Sequence, residues 1–173
     1  MIFTGFKRKT NQIFFNKRIA ELTENSTKTT SNKVKNIMVV IDDSSLKDAV
    51  VNELSQLFSI SKDSIEILVV KSKKAKSEVV ENSISPKDFG WYGKIKTEWL
   101  KEILTKKYDL LINYSKVENL YTNLLLLHCK VIFKVGFAHL DNRFYDLIIK
   151  CEPTEITLFN KELKKYLEIL NKI

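Results

Sequence analysis

Apolar and polar positions alternate in long blocks along the 173-residue chain. From Ile37 to Ile41 the block is continuously apolar, "IMVVI", without a helical period. That is the signature of a strand buried on both faces of a parallel sheet. "DDSSLKDAVVNELSQLF" follows, with Asp43 or Ser44 placed to cap a helix whose stripe is Leu46, Ala49, Val50, Glu53, Leu54 and Leu57. "SISKDS" turns the chain into a second apolar strand, "IEILVVK", which completes a βαβ unit with a right-handed crossover expected. "TEWLKEILTKK" predicts a helix with Trp99, Leu100, Ile103 and Leu104 inward, and "YDLLINYS" a third strand. "VENLYTNLLLLHC" reads as a buried helix, "KVIFKVGF" as a fourth strand ended by Gly136, and Tyr145 to Lys150 as a fifth. The closing helix, "LFNKELKKYLEILNKI", is expected to turn Leu158, Phe159, Leu163, Tyr166, Leu167 and Leu170 to the core.

Strands alternating with helices predict an α/β fold: a Rossmann-like three-layer sandwich around a mostly parallel five-stranded sheet. Residues 3–23 add an N-terminal helix. At 100° per residue its apolar positions form two strips: Phe3, Phe6, Ile13, Phe14 and Ala20 on one, Phe15, Ile19 and Leu22 on the other. One strip is expected to pack on the body and the second to touch a neighbour or a partner. A polar run at 23–33 reads as a linker that divides this helix (1–33) from a single domain (34–173).

Charge sharpens that division. Of the formal net charge of +8, residues 1–35 hold +6, leaving a nearly neutral body. A dedicated nucleic-acid-binding domain would carry its charge in the body. RNA contact is confined to the arm, through Lys7, Arg8, Lys9, Lys17 and Arg18. No apolar run reaches eighteen residues and the N-terminus has no signal-peptide pattern, so no integral membrane association is expected. Cys129 and Cys151 lack metal-ligand spacing and read as buried thiols in a reducing cytoplasm. Four glycines and two prolines argue against an all-β fold.

Half of those glycines and one proline fall within "SPKDFGWYGKIK", residues 85–96. Phe89, Trp91 and Tyr92 could stack a base, with lysines near a phosphate, or they could clasp the sheet. Gly90 and Gly93 allow tight reversal, and Asp88 can bind backbone N–H groups in the turn. The segment should be ordered, lie over the carboxyl side of the sheet and enter the third helix near Lys96 or Thr97. Trp91 should then sit near the end of the first or third strand, with Asp88 in reach of Arg143. Burial of both Phe89 and Trp91 would mark a clasp; Trp91 in an open pocket would mark a site.

Asp42 and Asp43 end the first strand. "IMVVIDDSSLKDAVVNEL" is similar to the opening of a two-component receiver domain, where such a pair holds Mg²⁺. The third strand, however, ends in Asn113, Tyr114 and Ser115, where a receiver needs its acceptor Asp. The pair is therefore read as a strand end and a helix cap, and no metal is assigned. No glycine-rich phosphate loop exists, so no cofactor is assigned. His128 and His139 have no motif partner, so no catalytic residue is assigned.

"SPKDFGWYGKIK", "YDLLINYS", "FKVGF", "DNRFYDLIIK" and the closing "YLEILNKI" resemble, in this order and over nearly the whole chain, a family of short Bacteroidota proteins, flavobacterial above all, that form a domain of unknown function. The resemblance implies a cytoplasmic bacterial protein and lends no activity. "YDLLINYS…LLLLHCKVIFKVGF" is similar to the acceptor-side half of heptosyltransferase-type glycosyltransferases, whose nucleotide-sugar domain has no room here. The leading functional reading is a non-catalytic module that binds another protein. The alternatives are a small-molecule or sugar-binding domain, or reduced enzyme, at the carboxyl ends of the strands, and an RNA- or ribosome-associated factor. The candidate binding residues are Asp42, Asp43, Asp88, Phe89, Gly90, Trp91, Gly93, Asn113, Ser115 and Arg143.

Overall fold

The computed structural model describes residues 2–24, 33–71 and 83–173. The predicted linker lies almost wholly outside the described residues, as does the stretch between the second strand and Ser83.

Among the described residues six strands form one sheet: β1 (Ile37–Ile41), β2 (Ile65–Val70), β3 (Ser83–Ile84), β4 (Lys107–Asn113), β5 (Lys130–Phe137) and β6 (Leu147–Ile149). Their order is β3-β2-β1-β4-β5-β6 and every pairing is parallel. The expected count of five omitted β3, which is two residues long and pairs Ser83 and Ile84 with Val69 and Val70. No apolar run announces so short a strand.

Five α-helices among the described residues cover the sheet: α1 (Ile2–Glu24), α2 (Lys47–Phe58), α3 (Glu98–Thr105), α4 (Leu120–His128) and α5 (Ile156–Ile169). Because strand side chains alternate, each central strand feeds both faces. Ile37, Val39 and Ile41 point into one core with Val50, Leu54, Phe159, Leu163 and Leu167 of α2 and α5. Met38 and Val40 point into the other, with Leu100, Ile103, Leu124 and Leu125 of α3 and α4. Phe15 and Ile19 of α1 join that second core.

Helix α1 packs through Phe15 and Ile19 of the second strip, joined by Asn11, and not through the first. Asn11, Phe15 and Ile19, four apart, are buried, while Phe6 and Ile13 are more than half exposed. On α5, Phe159, Leu163 and Leu167 form a narrow i, i+4 stripe, and Leu158, Tyr166 and Leu170, expected inward, are exposed. On α3, Trp99 is half-buried beside the buried Leu100, Ile103 and Leu104. Among the described residues no helix is long and apolar enough to cross a membrane.

Candidate functional site

Residues 85–96 are an ordered clasp between α1 and the sheet. Ser85 donates its backbone N–H and its hydroxyl to Asp88 Oδ2 (2.7 and 2.9 Å), and Thr97 donates its hydroxyl to Asp88 Oδ1 (2.5 Å). Phe89 pairs with Ile95 in an antiparallel bridge, and Lys94 N–H donates to Trp91 O (3.2 Å). Tyr92 and Gly93 both have positive φ, 53° and 71°, the requirement at the centre of a type I′ turn. Phe89 is fully buried, 5.4 Å from the Tyr121 ring. The Lys7 ammonium donates to the carbonyls of Pro86 and Phe89 (both 3.0 Å), and Gly93 N–H donates to Asn11 Oδ1 (2.8 Å). His128 at the end of α4 donates from Nε2 to Gly93 O (2.8 Å), and burial lowers its pKa.

The expected criteria split. Phe89 is inside, but Trp91 is 45% exposed and lines no described cleft, being carried out on the turn. The clasp enters α3 at Thr97, as expected. Asp88 does not reach Arg143. The Arg143 guanidinium instead grips Asp141, two residues away, through Nε (2.8 Å) and Nη2 (2.5 Å), and stands over the Phe15 ring. Both Asp88 oxygens are already taken, by Ser85 and Thr97; Arg143 in turn holds the Asp141 carboxyl below the usual range.

At the carboxyl ends of β1, β2 and β3 the structure opens a cleft of about 580 Å³, bounded on its other side by the loop that joins β4 to α4. From β1 the chain moves toward β2, whereas β4 leads away toward β5. Such a reversal leaves a crevice where open α/β sheets take their ligands. Asp42 lies just beyond β1, Val70 and Lys71 end β2, and Pro86 follows β3. Val117, Glu118 and Asn119 lead into α4, whose first turn supplies Leu120, Tyr121 and Thr122. Arg8 of α1 lines the remaining side, placed there because Lys7 and Asn11 clamp its helix to the clasp.

Asp42 Oδ2 accepts the backbone N–H groups of Lys116 (2.7 Å) and Val117 (3.2 Å), which fixes the loop. Asp42 Oδ1 is buried without a hydrogen-bond partner. Thr122 is 2% exposed and its hydroxyl also lacks a partner. Two of the five buried side-chain polar atoms left without partners among the described residues thus belong to residues lining this cleft. A buried polar group left so is destabilised by about 1–3 kcal/mol.

The other candidates lie elsewhere. Asp43 caps the turn after β1 by accepting from Ser45 N–H (3.1 Å) and pairs with the Lys116 ammonium (2.9 Å). The Ser45 hydroxyl and Lys116 hold its carboxyl down at about 2. Asn113 donates to the Tyr145 hydroxyl (2.8 Å) and accepts from Ser115 N–H (3.0 Å). Ser115 is buried, and its carbonyl accepts from His139 Nε2 (3.2 Å). None of Asp43, Asn113, Ser115 and Arg143 lines the cleft. Gly90 and Gly93 are buried in the clasp. Sequence reasoning had no signal for Thr122, a polar residue in an apolar helix, and placed Arg8 only in a basic arm.

Residues 7–170 match the model of a family of unknown function, DUF6913. No curated protein and no solved structure matches the chain.

Proposed function

We propose, from the premise that the chain belongs to DUF6913, a family of unknown function, that it is a binding domain for a small polar molecule. The observation that carries this reading is the pair of unpartnered acceptor and hydroxyl groups, Asp42 Oδ1 and Thr122 Oγ1, on residues lining the cleft at the strand-order reversal. A ligand bearing both a donor and an acceptor would complete them. The volume falls in the range of small-molecule sites. We assign no catalytic residue, and place the protein in the cytoplasm on the strength of its two free thiols.

The test is a thermal-shift and NMR screen of the full chain against neutral sugars, sugar phosphates and amino acids. At least one class should raise Tm with concentration and move the amide signals of residues 118–122. Thr122→Val should abolish the shift. If no class perturbs those amides, the reading is wrong.

A second reading, docking of another protein, is favoured by Phe6 and Ile13, 58% and 56% exposed and seven residues apart on the outer side of α1. A stoichiometric complex lost in Phe6→Ser/Ile13→Ser would support it. RNA contact through the arm is disfavoured by Lys7, whose ammonium is held in the clasp, and by Arg18, which pairs with Glu21 at 2.6 Å.

A further inference from the structure

We infer that the molecule the cleft takes is a hydroxylated phosphate monoester, a sugar phosphate in size and polarity, with its phosphate at Arg8 and the first turn of α4 and its hydroxyls at Asp42. This rests on the cleft being a small-molecule site.

The lining of the cleft carries both donors and acceptors. The start of α4 forms part of it. The first turn of a helix leaves N–H groups without intrahelical partners and carries the positive end of its dipole. Here Asn119 Oδ1 takes the Tyr121 N–H (2.9 Å) and Asn119 O takes the Asn123 N–H (3.0 Å). Thr122, in the same turn, adds a buried hydroxyl with no partner. Arg8 makes no hydrogen bond or ion pair with any other described residue, while its neighbour Lys7 is fully engaged in the clasp. A guanidinium presents five donors in a fork that matches phosphate geometry. A helix N-terminus, a buried unpartnered hydroxyl and an unengaged guanidinium thus border one cleft.

Asp42 lines the cleft at the end of β1. Its Oδ2 is used by the loop and its Oδ1 can only accept. A phosphate beside it would be repelled, whereas a hydroxyl would donate to it. The ligand must therefore bring donors to the β1 end and its anion to α4. This inverts the habit of dinucleotide folds, which seat the phosphate in the turn after β1. The charged side chains lining the cleft balance, Arg8 and Lys71 against Asp42 and Glu118. Bare phosphate is therefore not drawn in by a strong general field, and the hydroxyl contacts supply needed affinity.

The experiment is isothermal titration of the full chain with inorganic phosphate, glucose, glucose 6-phosphate and glutamate, in wild type, Arg8→Gln and Asp42→Asn. Arg8 is exposed, so its substitution spares the fold. Glucose 6-phosphate should bind tightest. Arg8→Gln should weaken it at least about tenfold, the loss expected for a charge-assisted contact. Asp42→Asn should weaken glucose 6-phosphate without weakening inorganic phosphate. If glucose binds as well as its phosphate and Arg8→Gln changes nothing, the phosphate assignment falls while the cleft remains a ligand site. Preference for glutamate would overturn it equally. Silence from all four probes, with no shift of the 118–122 amides in the wider screen, would sink both readings.

Discussion

Gly93→Ala should be among the most damaging single-methyl additions in the protein. Gly93 has φ of +71°, and a Cβ built there would lie 2.4 Å from Cδ1 and Cε1 of Phe14. The left-handed backbone costs a non-glycine residue about 1–2 kcal/mol. The contact is more than 1 Å inside the ordinary carbon separation of about 3.5–4.0 Å. Phe14 cannot simply swing away, because its ring stacks on His128 with centroids 6.3 Å apart. Overpacking of this kind costs about 1–3 kcal/mol, so the total should be about 2–5 kcal/mol. Urea denaturation of the full chain measures it. A cycle with Phe14→Ala separates the parts: removing the ring should recover the steric share and leave the backbone share. Gly5→Ala is the control, since nothing lies within 4 Å of its Cβ, and inside α1 it should stabilise by up to about 1 kcal/mol. A Gly93→Ala protein within about 0.5 kcal/mol of wild type, the range of an ordinary surface change, would refute the clasp as described.

Phe89→Ala should cost about 3–5 kcal/mol by the same denaturation assay, as for a fully buried aromatic, while the half-exposed Trp91→Ala should cost no more than about 1 kcal/mol. Burial lowers the His128 pKa below its ordinary 6.5, so the unfolded chain binds a proton the folded one does not. Stability should therefore decline as pH falls below 6.5, and the difference between wild type and His128→Gln in urea midpoint should change between pH 7.5 and 5.5. Burial pushes the Cys129 thiol up to about 12, and that thiol donates to Leu125 O (3.2 Å). Iodoacetamide at pH 8 should label Cys151 first, and equal labelling rates would contradict the placement of Cys129.

The two central strands were legible because a strand buried on both faces is apolar at every position; "IMVVI" has no other reading at that length. The α5 core face was only half legible. Leu158, Tyr166 and Leu170 flank Phe159, Leu163 and Leu167 on the helix, and a flank is inside or outside according to the width of what it packs on. Asn11 and Thr122 were illegible for a different reason. Both are polar and buried, and residue type alone assigns them to the surface. Asn11 is inside because the turn at Gly93 needs an acceptor for its N–H, which is a fact about a segment some eighty residues away. Asp42 was singled out at the end of β1, but the sequence could not show that one carboxylate oxygen would be occupied by the next loop and the other left without a partner.

The contacts of α1 also set an order in time. Lys7 and Asn11 bind carbonyl and amide groups of residues 86–93, and Phe14 stacks against His128. On a ribosome adding about 5–20 residues per second, the hundred or so residues from the end of α1 to the end of α4 take about 5–20 s. Helix α1 is thus synthesised before any surface it docks on exists. For that interval Phe15 and Ile19, buried in the finished protein, lack the α3 and α4 side of their core. Helix α1, made before α2 to α5, is among the last elements to find its place, and its docking waits until α4 has emerged.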